Sequence, residues 1–519
     1  MKQLKDKIAE SCYTPRRDLK KCSFRGRQSE YSLLRRCDTM NFDPLNLKIC
    51  YIGGGSRNWA WVFMKDLTFE HSIGGTICLY DRNYDASLAN EVIGNRLMAA
   101  HNPGQWKFVA ESSLERALDG ADFVLISILP GDFTEMAVDV HEPEQYGIYQ
   151  SVGDTTGPGG IIRALRTLPM FQEFAKSIQQ WAPDAWVLNY TNPMTLCTQM
   201  LYAEFPQIKA FGCCHEVFGT QKLLIKVMEH YGWVEKGSVH REEITTNVLG
   251  INHFTWIDRA SWKNKDLFPL YRQFAQEYAL TGFDEGGDDN WINNYFTSCD
   301  RVKLDLFNRY GLIAAAGDRH LAEFCPPSWY LANPQVVAEW KYSLTPVSFR
   351  IKQREELLKK SKAYQEGHES MPISPSGEEG IRLMKAIIGL ENIVTNVNLP
   401  NKGQIPDLPV GAVVETNAFF SRDMVLPMVT NGFSPELRTL IIHHLTQYEG
   451  ILKAVQERDL ETAFRVFLND YQIQKLTVPQ ARKLFTNLYK YGRKDVAFFR
   501  GRLGRIPFIG LLYFKKARK

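Results

Sequence analysis

No stretch of this chain approaches the ~20 consecutive apolar residues that a helix needs to cross a bilayer. The nearest, residues 506–514, falls far short. No membrane partner is expected. The N-terminus carries no apolar run either, so nothing there reads as a secretory signal. The ten cysteines include no Cys-x-x-Cys pair and no regular spacing. That argues against a disulfide-stapled scaffold or a zinc ribbon and for reduced thiols in a cytoplasmic protein. Internal repeats and low-complexity tracts are also missing, which sets aside solenoids and long disordered linkers.

Basic charge is scarce where it would matter for nucleic acid. The formal net charge is +4, but residues 1–40 hold eleven Lys/Arg against five Asp/Glu, and residues 493–519 hold nine against one. The body between them carries 42 basic and 52 acidic residues. A nucleic-acid reader more often places its basic patch on the folded domain. The two tails read as solvated extensions, and no nucleic-acid partner is expected.

What is present is ample apolar material: 44% of 519 residues, enough for two intimately packed lobes. Residues 47–52 read as a short buried strand running into the glycine turn Gly53-Gly-Gly-Ser56. Helical spacing follows at 59–67, then strands at 76–80, 123–128, 186–189 and 210–213, with helical segments such as 87–101 and 165–181 between them. This alternation predicts an α/β fold, a Rossmann-like doubly wound parallel sheet of the lactate/malate dehydrogenase kind. Past residue 220 the texture becomes mainly helical, at 269–310, 349–390 and 434–492, with short β-like runs at 392–420. The expected division is a basic N-terminal extension (1–46), a nucleotide-binding domain (47–220), an α+β substrate and metal domain (221–492) and a basic tail (493–519).

Gly53, Gly55 and Ser56 stand where the first strand meets a helix. Glycine lets backbone approach a pyrophosphate, and a helix N-terminus offers free N–H donors. The spacing departs from G-x-G-x-x-G, because Asn58 takes the third glycine position. Asp81 ends the second strand, where a carboxylate can accept hydrogen bonds from an adenosine ribose, favouring NAD over NADP. A tight ligand-free turn and a helix-capping aspartate are the alternatives.

Six short segments then occur in order: Tyr51-Ile-Gly-Gly-Gly-Ser56, Gly153-Asp-Thr-Thr-Gly-Pro-Gly-Gly160, Asn189-Tyr-Thr-Asn-Pro193, Cys214-His-Glu-Val217, Gly250-Ile-Asn-His253 and Gly317-Asp-Arg-His320. Together they resemble glycoside hydrolase family 4, over roughly residues 47–490. The resemblance implies an NAD-dependent glycosidase, with Cys214 and His253 holding Mn²⁺ or another divalent transition metal. The form Cys-His-Glu-Val looks like the α-galacturonidase branch, whereas Cys-His-Ser-Val looks like α-galactosidases and α-glucosidases. It also implies a dimer or tetramer and a small oligosaccharide substrate.

The chemistry that goes with the resemblance is oxidation at C3 of the sugar, loss of the now acidic C2 proton, elimination of the leaving group, addition of water and reduction back. His215 takes the acid position, and Asp318 the C2 base, with Tyr310 as the other candidate base. Asn192 is expected to touch both nicotinamide and sugar. Residues 153–160 read as a glycine-rich loop over the sugar, with Asp154 on its hydroxyls. Arg163, Arg319 and His320 are candidates for a substrate carboxylate. Two rivals remain: a lactate/malate-type NAD dehydrogenase, and a non-catalytic NAD-binding regulatory protein.

Overall fold

The structure, a computed structural model, describes residues 42–283 and 298–491. The basic stretches 1–40 and 493–519 lie outside the described residues. Six parallel strands form the heart of the larger sheet: β1 (Leu47–Ile52), β2 (Gly75–Tyr80), β3 (Trp106–Glu111), β4 (Phe123–Ile126), β5 (Trp186–Asn189) and β6 (Lys209–Gly212). They run in the order β3-β2-β1-β4-β5-β6. This is the dinucleotide-binding order, with its reversal of direction between β1 and β4. The expected Rossmann-like sheet is therefore present.

Strand β3 is absent from the sequence reading. It is the sheet's outer strand, and its Trp-Lys-Phe-Val-Ala-Glu alternates buried and more exposed residues, so it lacks the continuous apolar run of the central strands. Those central strands are buried on both faces. Leu47, Ile49 and Tyr51 of β1 join one core with Phe123 and Leu125, while Cys50 and Ile52 join the opposite core with Val124 and Ile126. Truncating one such side chain, for example Leu125→Ala, would cost about 2–5 kcal/mol.

The later part of the chain contributes a second, antiparallel sheet of β7 (Ile244–Ile251), β8 (Phe254–Trp262), β9 (Lys265–Asp266) and β10 (Ile313–Ala314). It then returns to the first sheet. Strands β11 (Ile393–Pro400), β12 (Val413–Ser421) and β13 (Met424–Pro427) add to its edge antiparallel, β11 meeting β6 at Asn398 and Gly212. The larger sheet thus has nine strands and crosses the boundary expected near residue 220. Helices Val347–Glu366, Pro435–Glu457 and Val478–Tyr491 account for the helical texture there. Among the described residues, no helix is long and apolar enough to cross a membrane.

One expected loop, 153–160, is a loop only in its first half, 153–156. Gly157–Gly160 form the first turn of the 25-residue helix Gly157–Trp181, and all four are buried. The glycines serve close packing: a Cβ on Gly160 would lie 2.5 Å from the Thr155 backbone, and one on Gly159 2.8 Å from Gln150 Oε1.

Candidate active site

The glycine turn is wedged between strand ends. Gly53 has φ +99°, and a Cβ there would sit 2.0 Å from the Ser127 carbonyl oxygen beyond β4. A Cβ on Gly55 would meet Ala86 Cβ at 2.7 Å and Asp81 Oδ2 at 2.9 Å. Only glycine lets the backbone lie this deep at the β1/β4 crossover, where such sheets open a crevice. Asp81 Oδ2 accepts the Gly55 N–H at 3.1 Å, and Asp81 Oδ1 accepts that of Asn83 at 2.8 Å. Ser56 Oγ accepts N–H groups of Asn58 and Trp59, opening the helix Trp59–Leu67. A residue the sequence reading missed braces the turn. Fully buried Asn90 donates to the carbonyls of Gly54 (2.7 Å) and Ser56 (2.9 Å) and accepts from Trp61 Nε1.

Asn192 stands beyond β5, its peptide to Pro193 cis. Its carbonyl accepts from Arg163 Nε at 3.2 Å, and its Oδ1 is buried without a hydrogen-bond partner. A buried acceptor with no protein donor is open to a ligand or to water.

Three candidate residues converge more tightly than the sequence implied. Asp154, His253 and His320 place one ligand atom each within 4.8 Å of one another, and the two imidazole centroids are 3.9 Å apart. Nδ1 of His320 is buried and unpartnered. His253 reaches this place from the second position of the two-residue turn between β7 and β8, with φ +64°. That left-handed backbone is uncommon for a residue with a Cβ and is met at functional sites. The hairpin itself was not foreseen, because the motif Gly250-Ile-Asn-His253 falls across the turn.

Electrostatics favour a cation here. Burial opposes ionisation of Asp154, yet Arg163, His253, His320 and the Thr155 hydroxyl bring its carboxyl down to about 2. Glu216 behaves likewise: burial opposes it, but His320, His253, His215 and the Gly317 N–H hold it at about 2. Glu216 Oε2 accepts that N–H at 2.7 Å, and its Oε1 lies 3.7 Å from His320 Nε2. Burial above all, with His320 beside it, depresses His253 to about 3, so its imidazole is neutral and can ligate. Cys214, one of the two expected metal residues, is buried but is not one of the three whose ligand atoms converge. Burial, Glu415 and Glu216 push its thiol well up, while Asn252 hydrogen-bonds it. A bound cation inverts that balance by favouring the thiolate.

The segment leading to Asp154 is held firmly. Glu323 Oε1 accepts the N–H groups of Val152 (2.7 Å) and Gly153 (2.9 Å), and Gln150 joins the Gly159 N–H to the Asp139 carbonyl. Beneath it, Arg166 and Asp139 form a buried bidentate pair. Thr156 Oγ1 meets His444 Nδ1 at 3.2 Å. The segment is thus fixed by hydrogen bonds along its length.

The expected acid and bases fall in different places. His215 is half-exposed, with Nδ1 3.3 Å from Glu378 Oε1 and its ring 5.8 Å from Trp59. The Glu378 contact raises its pKa. Asp318 opens the helix Asp318–Phe324, two residues before His320. Its Oδ1 accepts the Lys303 N–H at 3.0 Å, while its Oδ2 is buried and unpartnered. Burial, with Asp300 nearby, raises Asp318 to about 7, and its hydrogen-bond partners are the backbones of Lys303 and Val302 rather than the triplet. Tyr310 is not brought to this set. It packs edge-on against Trp256 at 6.0 Å and borders the hydrophobic core. Of the expected carboxylate binders, Arg163 lies beside Asp154, and His320 belongs to the triplet. Arg319 donates to the carbonyls of Ser151 and Ser343. Arg350, unforeseen, acts on both Asp154 and Arg163.

A dinucleotide-type α/β sheet, together with a His/Asp triplet whose ligand atoms lie within 4.8 Å of one another, defines the class: a Rossmann-like fold with a candidate cation site. The description "Family 4 glycosyl hydrolase" matches residues 48–230, and that of the family's C-terminal domain matches residues 248–473. The chain belongs to glycosyl hydrolase family 4 and is a glycoside hydrolase. It is 54% identical over 448 residues to the alpha-galacturonidase of Thermoanaerobacter italicus, covering 86% of this chain and 97% of that one. It is 47% identical over 442 residues to the alpha-galacturonidase of Bacillus subtilis, covering 85% and 96%. The crystal structure of the Bacillus subtilis protein lplD, named as a glucosidase, superposes with a TM-score of 0.81 at 47% identity, over 85% of this chain and 99% of that one. A 6-phospho-alpha-glucosidase from gut microorganisms, in complex with NAD and Mn²⁺, shares the fold at 18% identity and a TM-score of 0.72, over 86% and 98%.

Proposed function

We propose that this chain hydrolyses α-galacturonides, using NAD in the β1/β4 crevice and a divalent cation, Mn²⁺ foremost, at the adjoining cluster. The observation that carries the reading is the 54% identity to an alpha-galacturonidase along 97% of that relative's length. The residues fit both groups. The glycine turn leaves no room for a Cβ, the Asn192 Oδ1 has no partner, and Asp154, His253 and His320 offer a mixed O/N donor set with Cys214 close by. Bound there, the nicotinamide would supply reversible hydride transfer at C3, and the cation Lewis acidity toward the sugar's oxygens.

The protein's own groups do the rest. Asp318, buried with a free Oδ2, receives the C2 proton. His215, oriented by Glu378, delivers a proton to the departing oxygen. Asn192 orients sugar against nicotinamide. Arg163 and Arg350, both beside Asp154, set the positive field in which a uronate carboxylate would lie. Glu216 is ionised and cannot itself attract a carboxylate. Its part is to fix His320 and the Gly317 backbone.

The deciding experiment incubates the protein with NAD⁺, Mn²⁺ and a reductant against p-nitrophenyl α-galacturonide, α-galactoside and α-glucoside in D₂O. The expected result is fastest release from the galacturonide, with deuterium at C2 of the product. Faster turnover of a neutral sugar would overturn the substrate, and product without C2 deuterium would overturn the chemistry.

A further inference from the structure

The two segments that carry Cys214 and His253 come from different sheets. Cys214 follows β6 of the nine-stranded sheet, and His253 sits in the β7–β8 turn of the smaller one. One carboxylate spans the gap. Glu415, on β12, is 0% exposed. Its Oε2 accepts from Asn252 Nδ2 at 3.2 Å, and its Oε1 from Asn396 Nδ2 at 2.7 Å. The Asn396 amide also reaches the Cys214 carbonyl oxygen at 3.3 Å. The Asn252 side chain, next to His253 in the turn, hydrogen-bonds Cys214 itself. Asn252 is 0% and Asn396 5% exposed, so these bonds are largely shielded from bulk solvent. A third link, Asn417 Nδ2 to the Thr246 carbonyl at 2.5 Å, ties the neighbouring residues of β12 to β7.

A buried carboxylate with only amide partners is costly unless its charge is answered. Neither asparagine carries charge. Of the two acids nearest the histidines, Asp154 is answered by Arg163 and Arg350, while Glu216 adds negative charge that acts on Glu415. We propose that Glu415 is a positioning residue for the cation: through Asn252 and Asn396 it holds the Cys214 backbone and the His253 turn at one separation, and its charge completes the balance when a divalent ion is bound. The inference rests on the metal reading given under Proposed function.

The closing experiment measures Mn²⁺ binding to chelator-stripped full-length protein, by titration calorimetry and by loss of the free-ion EPR signal. NAD⁺ affinity is measured in parallel. Glu415→Gln keeps the volume but points an amide donor at an asparagine donor, and removes the charge. Outer partners of metal ligands typically carry 10–100-fold in metal affinity. Mn²⁺ affinity is expected to fall by at least tenfold, NAD⁺ affinity to change by less than twofold, and turnover to return at saturating Mn²⁺. Asn396→Ala removes the link to Cys214 together with one of the amide bonds to Glu415, leaving the carboxylate in place. It is expected to weaken Mn²⁺ several-fold, and it decides the matter should the first variant fail to fold. Unchanged Mn²⁺ affinity in a folded variant, or equal losses of Mn²⁺ and NAD⁺, overturns the role of Glu415. A wild-type protein that binds no Mn²⁺ overturns the metal reading itself, and this inference with it.

Discussion

The Thr155 hydroxyl lies 2.9 Å from His253 Nδ1 and donates to Asp154 Oδ1 at 2.7 Å. A hydroxyl has one proton. With that proton on the carboxylate, the oxygen can only accept from the ring, so His253 carries its hydrogen on Nδ1 and leaves Nε2 as the lone pair. Such an outer contact fixes which nitrogen a metal meets. Thr155→Val keeps the shape and removes both bonds. The expected outcome is a roughly 10–100-fold higher Mn²⁺ half-saturation with kcat recovered at high Mn²⁺. A change in kcat alone, at unchanged half-saturation, would contradict it.

Asp318 has one oxygen in a helix cap and one buried without a partner. Asp318→Asn preserves the cap acceptor and abolishes the base. Turnover is expected to fall by about 10²–10⁴, with KM little changed and solvent deuterium no longer entering C2 of bound substrate. Tyr310→Phe, remote from the cluster, is expected to stay within about threefold of wild type. The pair of variants, measured in one assay, separates the two candidate bases.

The glycine turn makes a steric prediction. A methyl at Gly55 would press on Ala86 Cβ and Asp81 Oδ2 at under 3 Å. Gly55→Ala is expected to cost about 1–3 kcal/mol of stability and to weaken NAD⁺ binding more than Mn²⁺ binding. Asn90→Ala, which removes the brace under the same turn, should act in the same direction. Calorimetric titration of each ligand checks both.

Glu323 gives a pH dependence. Burial raises its carboxyl to about 7, from 4.5 for a free side chain. The folded state therefore binds a proton that the unfolded chain has already released between those values. Its contribution is fully present below pH 4.5 and is lost as pH rises through 7. Glu323→Gln keeps an acceptor for Val152 and Gly153 and removes the titration. Relative to wild type, its melting temperature should improve from pH 5 to pH 8, by roughly 1–3 °C. A parallel shift at both pH values would contradict the assignment.

The parallel core was legible because strands buried on both faces write continuous apolar runs, as in Leu47–Ile52 and Phe123–Ile126. The outer strand Trp106–Glu111 and the hairpin around His253 were not, since one is half-exposed and the other divided by its turn. Motif residues such as Asp154, His253 and His320 were visible as types, but their meeting depends on strands far apart in the chain. Asn90, Glu415 and Arg350 carry no local signature at all. Each is an ordinary polar residue until its partners, from 19 to 196 positions away, are in place.

Because the last three strands of the large sheet are laid down by residues 393–427 against β6, the fold closes only after most of the chain has been made. A fragment ending near residue 230, although it matches a whole family description, would leave β6 as a bare edge able to recruit strands from its neighbours. The amino-terminal half is thus expected to clump when expressed without its continuation, and hybrid enzymes spliced from two relatives at that point must match across the β6–β11 seam.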